Sequence, residues 1–169
     1  MKYLLFLGLP LLVLDQITKW MVLQNIPYGG EIPVVPGFFS LVHVTNTGAA
    51  FGLFQNNNLF FILLAVAALA VVLFLMIRDQ ISTNPKARLT VLTKISFSLL
   101  AAGVVGNLFD RVIRGNVIDF LHFYIREYAW PSFNVADSCI CVAVALLILA
   151  SFRSPQKVVG RIPPAQRDK

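Results

Sequence analysis

Charge is scarce in this chain. Only 13% of its 169 residues are Asp, Glu, Lys or Arg, against 57% that are hydrophobic, a balance too apolar for an ordinary soluble domain. Histidine is limited to His43 and His122, and cysteine to Cys139 and Cys141. Two histidines cannot build a multi-histidine metal site, and neither a His-Glu-x-x-His pattern nor a glycine-rich phosphate loop is present. Cys139 and Cys141 stand two apart in an apolar segment of helical character, so they point to different sides and are poorly placed to bridge; they read as small packing residues. No serine has an obvious partner for nucleophilic catalysis, and Ser138 reads as a helix-start residue. There is no internal repeat and no second, soluble domain. The net charge of +6 does not signal nucleic acid, because the basic residues flank apolar segments as membrane topology requires.

Present in quantity is long apolar sequence. Four stretches can cross a bilayer: about 3–23, 59–77, 89–108 and 135–152. The first is apolar to Leu14 and then carries Asp15, Gln16 and Lys19. Lys2 followed by an apolar run resembles a signal peptide, but no small-x-small pattern follows Leu14 and a retained helix is expected. Leu59–Ile77 is unbroken. The third span is more polar; Lys94 can snorkel to the nearer surface, and Gly103 and Gly106 admit close helix packing. The expected fold is an all-α membrane protein. Its four transmembrane helices carry a small extracytoplasmic β-platform and a short interfacial helix, in one domain over 1–153 followed by a basic, disordered cytoplasmic tail over 154–169 held near anionic membrane lipids.

Loop charge selects an orientation. Gln24–Asn58 contains no Lys or Arg, whereas the second connection carries Arg78, Lys86 and Arg88 and the tail carries five basic residues from Arg153 to Lys169. The positive-inside rule puts both termini in the cytoplasm and the first and third connections outside. Asp15 and Lys19, Asn107 to Arg111, Asp119, and Asn134 with Asp137 then gather at one face of the membrane.

In the outer segments, Phe38–Val44 is rich in aromatic and β-branched residues and suits a strand; a small sheet there would suit an extended peptide. The aromatics of Phe120–Trp130 recur at helical spacing and suggest an amphipathic helix at the interface, a passive anchor or a lid. His122 reads as a surface or belt residue.

Ionisable groups near hydrocarbon are costly and are retained for use. Asp119, within Val117-Ile118-Asp119-Phe120, has an apolar setting that raises its pKa. Asp137 lies close to the start of the fourth span. Two carboxyls sharing a site cannot both ionise easily, and such a pair can activate water on an amide carbonyl while its protonated member stabilises the oxyanion. Asp15 and Lys19, four apart, form a favourable helical ion pair. Asn107, Asp110 and Arg111 share a helical face; Arg111 could pair with Asp110, hold a carboxylate or meet a headgroup. A proton-coupled transporter and a non-catalytic scaffold are rival readings, but the former needs polar sites through the full thickness, and the far halves of spans two and four are apolar.

Five segments resemble the lipoprotein signal peptidase (signal peptidase II) family: Asp15-Gln16-Ile17-Thr18-Lys19; Asn46-Thr47-Gly48-Ala49-Ala50-Phe51; Gly103 to Arg111; Val117-Ile118-Asp119-Phe120; and Phe133-Asn134-Val135-Ala136-Asp137-Ser138. They occur in the family's order, with Ala102-Gly103-Val104 where the family often has Gly-Gly-Ala. The resemblance implies an aspartic endopeptidase of the bacterial inner membrane. It removes the signal peptide from diacylglyceryl-modified prolipoproteins, cutting just before the lipidated cysteine, with Asp119 and Asp137 as the catalytic pair. Asn46, Gly48, Asn107, Asp110, Arg111, Asn134 and Ala136 fall in segments that line or support the substrate site, and Asp15 and Lys19 match a stabilising pair. No metal, organic cofactor or nucleic acid is implied, and a monomer is expected.

Overall fold

The computed structural model describes residues 2–48, 54–84 and 88–153. The tail expected over 154–169, like Ala49-Ala50-Phe51 and Lys86, lies outside the described residues. A π-helical opening, Leu4–Gly8, runs into α1 (Leu9–Asn25); α2 is Asn58–Ile81, α3 Val91–Arg114 and α4 Val135–Arg153. With Leu4–Gly8 counted into the first, all four helices are long and apolar enough to cross a membrane.

Polarity is inverted relative to a soluble protein. Phe6 and Phe152 are 82% exposed, and Leu59, Phe74 and Val112 also point outward, while Asp15, Lys19, Ser96, Ser98, Asp110 and Asn134 are buried. Lipid covers such an outer surface, and the buried polar groups hold the helices together where the hydrophobic effect cannot. α3 is the central helix. Its Phe97 and Ala101 pack on Val72 and Met76 of α2. On another side, a Cβ at Gly103 would collide with the Ala136 carbonyl oxygen and come within 2.7 Å of the Ile140 side chain; at Gly106 it would lie 2.7 Å from the Asp15 carboxylate. These two missing side chains let α4 and α1 settle on α3.

α3 is longer than the span expected over 89–108. It continues to Arg114 and ends where Gly115 adopts φ 77°, a left-handed cap that glycine takes without penalty. Asp110, Arg111 and Arg114 therefore sit on the helix, where buried partners meet them. At the other end of α3, Lys94 pairs with Asp79 of α2 at 2.8 Å, and Asp79 also accepts a hydrogen bond from the Leu89 amide at 2.6 Å.

The remaining elements form an antiparallel sheet, β1 (Glu31–Val35), β2 (Phe39–Asn46), β3 (Val117–Ile125) and β4 (Tyr128–Ala129), in that spatial order. The interfacial helix expected over Phe120–Trp130 is a correction: the segment is the strand-turn-strand of β3 and β4. Ile118 and Phe120 enter a core with Val22 of α1 and Ile26 just beyond its end, whereas Val117 and Asp119 turn to the opposite side, onto a cavity. That is the two-residue alternation of a strand. The aromatics find neighbours across strands rather than one turn along: Phe123 stacks on Phe39 with ring centroids 4.6 Å apart. Arg126, at φ 53°, turns the chain into β4.

Gly103→Ala tests the α3–α4 contact. Alanine is the better helix former, yet overpacking typically costs about 1–3 kcal/mol, so the melting temperature in detergent should fall. An unchanged or raised value would show that α4 has room to move.

Candidate active site

β3 delivers Asp119 and the first turn of α4 delivers Asp137 to the same cavity, of about 1260 Å³. Asn134 joins them. Its side-chain amide donates to Asp119 Oδ1 at 2.8 Å and its backbone N–H donates to Asp137 Oδ2 at 3.2 Å. In return its Oδ1 accepts the Asp137 amide at 2.8 Å. Asn134 and Asp137 thus cap the start of α4 reciprocally, the arrangement of a capping box. The second oxygen of each carboxylate is also held: Asn46 Nδ2 donates to Asp119 Oδ2 at 3.1 Å and Asn107 Nδ2 to Asp137 Oδ1 at 2.7 Å. Three asparagines from β2, α3 and the head of α4 therefore orient the pair. Burial in apolar surroundings, reinforced by the charge of Asp137, pushes the Asp119 carboxyl up from 3.8 to about 7 against the hydrogen bonds from Asn46 and Asn134.

Behind the pair lies an ionic cluster. Lys19 Nζ, with 0% exposure, is 2.9 Å from both Asp15 Oδ2 and Asp110 Oδ2 and donates to Asn107 Oδ1 at 3.0 Å. Asp110 also pairs with Arg114. Two acids and two bases leave this cluster neutral, as burial demands. Asp15 Oδ1 accepts the Ala136 amide at 2.8 Å, so it satisfies an N-terminal donor of α4. Gln16 bridges Asp15 and the Gly106 carbonyl; Ala136 and Gly106 thus contribute backbone.

Among the described residues Arg111 pairs with no carboxylate: its Nη2 donates to the Gly48 carbonyl at 2.6 Å, its Nη1 lies 3.4 Å from Asn58 Oδ1, and its guanidinium stacks 4.4 Å from the Phe61 ring centroid. Gly48 in turn donates its N–H to Asn46 Oδ1, which links Arg111 to the residue orienting Asp119. His122 stands apart, bonded to Ser132 Oγ. Cys139 and Cys141 are free thiols.

Asn58 and Arg114 were not among the expected site residues. Arg114 follows Asp110 by four, a signal available in the sequence; nothing local marks Asn58. Among the described residues, no group of three His, Cys, Asp or Glu side chains is placed to hold a metal ion. Much of the cavity wall is apolar, formed by Phe61, Leu64, Ala65 and Ala68 of α2 and by Val104 and Ile140.

Four spanning helices and two carboxylates on a shared, largely apolar cavity define a small polytopic membrane enzyme. Two solved bacterial membrane enzymes, studied by the in meso method at 2.3 and 1.9 Å, have this fold. The first matches with a TM-score of 0.82 and 28% identity over 96% of this chain and 95% of that one; the second with 0.78 and 29% over 91% and 95%. The family model described as signal peptidase (SPase) II matches residues 7–153. The chain is 44% identical over 143 residues to the lipoprotein signal peptidase of Symbiobacterium thermophilum, covering 85% of this chain and 90% of that one. It is 45% identical over 152 residues to that of Geobacter metallireducens, covering 86% and 88%. The chain belongs to the signal peptidase II family, a family of peptidases.

Two outcomes follow from the electrostatics. Lys19→Met leaves Asp15 and Asp110 buried with less compensation and should cost about 3–5 kcal/mol, read as a lower unfolding midpoint in detergent; a loss below about 1 kcal/mol would remove the cluster's structural role. Asp119 binds its proton more tightly folded than unfolded, so its contribution to stability is full below pH 3.8 and is lost as pH rises to about 7. Asp119→Asn should therefore gain stability relative to the parent across that window and hold the difference above it; parallel stability curves would contradict this.

Proposed function

We propose that this protein is the aspartic endopeptidase that removes signal peptides from diacylglyceryl-modified prolipoproteins, cutting before the lipidated cysteine, with Asp119 and Asp137 as its catalytic pair. The observation that carries the reading is the bridge through Asn134, which holds one oxygen of each carboxylate against the same cavity. At neutral pH the raised pKa of Asp119 lets the pair keep one proton. The ionised member draws a proton from water, and the water oxygen attacks the scissile carbonyl carbon. The protonated member donates a hydrogen bond to the developing oxyanion. Collapse of the tetrahedral intermediate breaks the C–N bond, and a proton passes to the leaving amine. No covalent intermediate with the protein forms.

The other residues serve this pair. Asn46, Asn107 and Asn134 orient its oxygens, and Asp15, Lys19 and Asp110 hold α1, α3 and α4 in place around it. Arg111 holds the Gly48 carbonyl at the rim, and the backbone of Ala136 is fixed by Asp15. The apolar walls suit the acyl chains of a substrate arriving sideways through the bilayer. The charge of the connections supports cytoplasmic termini and a site near the outer face of the bacterial inner membrane, with the protein acting as a monomer and without metal or cofactor.

Asp119→Asn and Asp137→Asn should each abolish cleavage of a diacylglyceryl-modified precursor by purified protein while the variants remain folded. Retained turnover in either removes the assignment.

A further inference from the structure

The sheet has an edge that stops short. β1 accompanies β2 only as far as Glu31 opposite Val42. Gly29 and Gly30 then bond both main-chain groups of His43: the Gly29 amide donates to the His43 carbonyl at 2.9 Å and the His43 amide to the Gly30 carbonyl at 3.1 Å. Beyond this point the partner turns away. Gly29 adopts φ 74°, the Gly30 amide bonds back to the Pro27 carbonyl at 2.8 Å, and Pro27 has no N–H to offer. β2 nevertheless continues through Val44, Thr45 and Asn46, paired on its other side with Asp119, Ile118 and Val117. Among the described residues, no strand pairs with this stretch on the β1 side.

Main-chain groups of successive strand residues face alternate sides. His43 points its N–H and C=O toward β1. The register of β2 on β3 shifts between Leu41 and Val44, and past the shift Ile118, opposite Thr45, turns its own groups away from β2: its amide donates to Asp110 Oδ2 and its carbonyl accepts from Asn134 Nδ2. Thr45 therefore points its N–H and C=O to the β1 side, beyond the end of β1. Val44, Thr45 and Asn46 all border the cavity. Val44 lies directly opposite Asp119, and Asn46 bonds to it. An edge strand with an unused donor and acceptor is a template for an added strand, and here it runs alongside one of the two carboxylates.

We infer that the substrate's extended peptide, next to its scissile bond, docks as an added strand on the Val44–Asn46 edge of β2, exchanging main-chain hydrogen bonds with Thr45; this rests on the peptidase reading above. The edge reads backbone, so it accepts many side-chain sequences while fixing the register of the chain against Asp119. The peptide continues the line that β1 leaves vacant.

A scan of the peptide backbone tests this. A diacylglyceryl-modified precursor peptide is prepared with single N-methyl groups at successive residues on both sides of the cleavage point, the scissile amide itself left unchanged. One position, the one whose N–H meets the Thr45 carbonyl, should raise KM about tenfold, the worth of one hydrogen bond, with its immediate neighbours within about twofold. An ester in place of that amide, which removes the N–H without adding bulk, should reproduce the effect. A flat scan, a uniform loss at every position or an ester without effect overturns the docking mode. If the unmodified precursor is cleaved and the scan is flat, strand pairing fails alone; if the wild-type protein does not cleave the unmodified precursor, the peptidase reading fails with it.

Discussion

One ammonium group organises this protein. Nζ of Lys19 meets carboxylates from α1 and α3 and the side chain of Asn107, and the same Asp15 that it neutralises also caps α4. Three helices are thereby joined at one depth. In hydrocarbon there is no hydrophobic force to press helices together, so their mutual position depends on such polar contacts and on close packing at Gly103 and Gly106. An ammonium without its carboxylates could not stay there, and the carboxylates could not stay without it.

The cluster also defines the register of the carboxylate pair. Asn107 accepts from Lys19 and donates to Asp137, so its amide is oriented by the ammonium and passes that orientation on. On the other side Asn46 is held by the Gly48 amide, and the Gly48 carbonyl by Arg111. Each carboxylate is thus supported by an asparagine that is itself fixed by a further group, which is what a preorganised site requires. The pair stays outside the neutral cluster, free to carry a proton of its own.

Much of this was legible in the amino-acid order. Apolar runs announce spans, and the order of the spans brings Asp15, Asn107, Asp119 and Asp137 to one end of the bundle. The spacing of Asp15 and Lys19 declares a helical pair, and Gly103 and Gly106 declare close packing. Illegible were the features that depend on distant partners. The third span is expected to end at Leu108, with Asn107, Asp110 and Arg111 on one helical face, yet the helix continues to Arg114, where Lys19, Gly48 and Asn58 meet its side chains. Phe120, Phe123 and Tyr124 fit a helical spacing as well as a strand, and only pairing with residues 39–46, more than seventy positions earlier, decides between them. β1 carried too little alternation to be noticed. The double service of Asn134, capping a helix and bridging two acids, has no signature in a single residue.

The two sides of the cavity differ in what they can sense. The side built from α2 offers Phe61, Leu64, Ala65 and Ala68, and its backbone amides are already spent within the helix. Such a surface can gauge only the girth of a guest. The strand-lined side carries polar groups in a set order and can gauge direction. A molecule that is greasy at one end and polypeptide at the other therefore meets a tolerant half and a discriminating half at once, and variation in tail length is forgiven more readily than reversal of the chain.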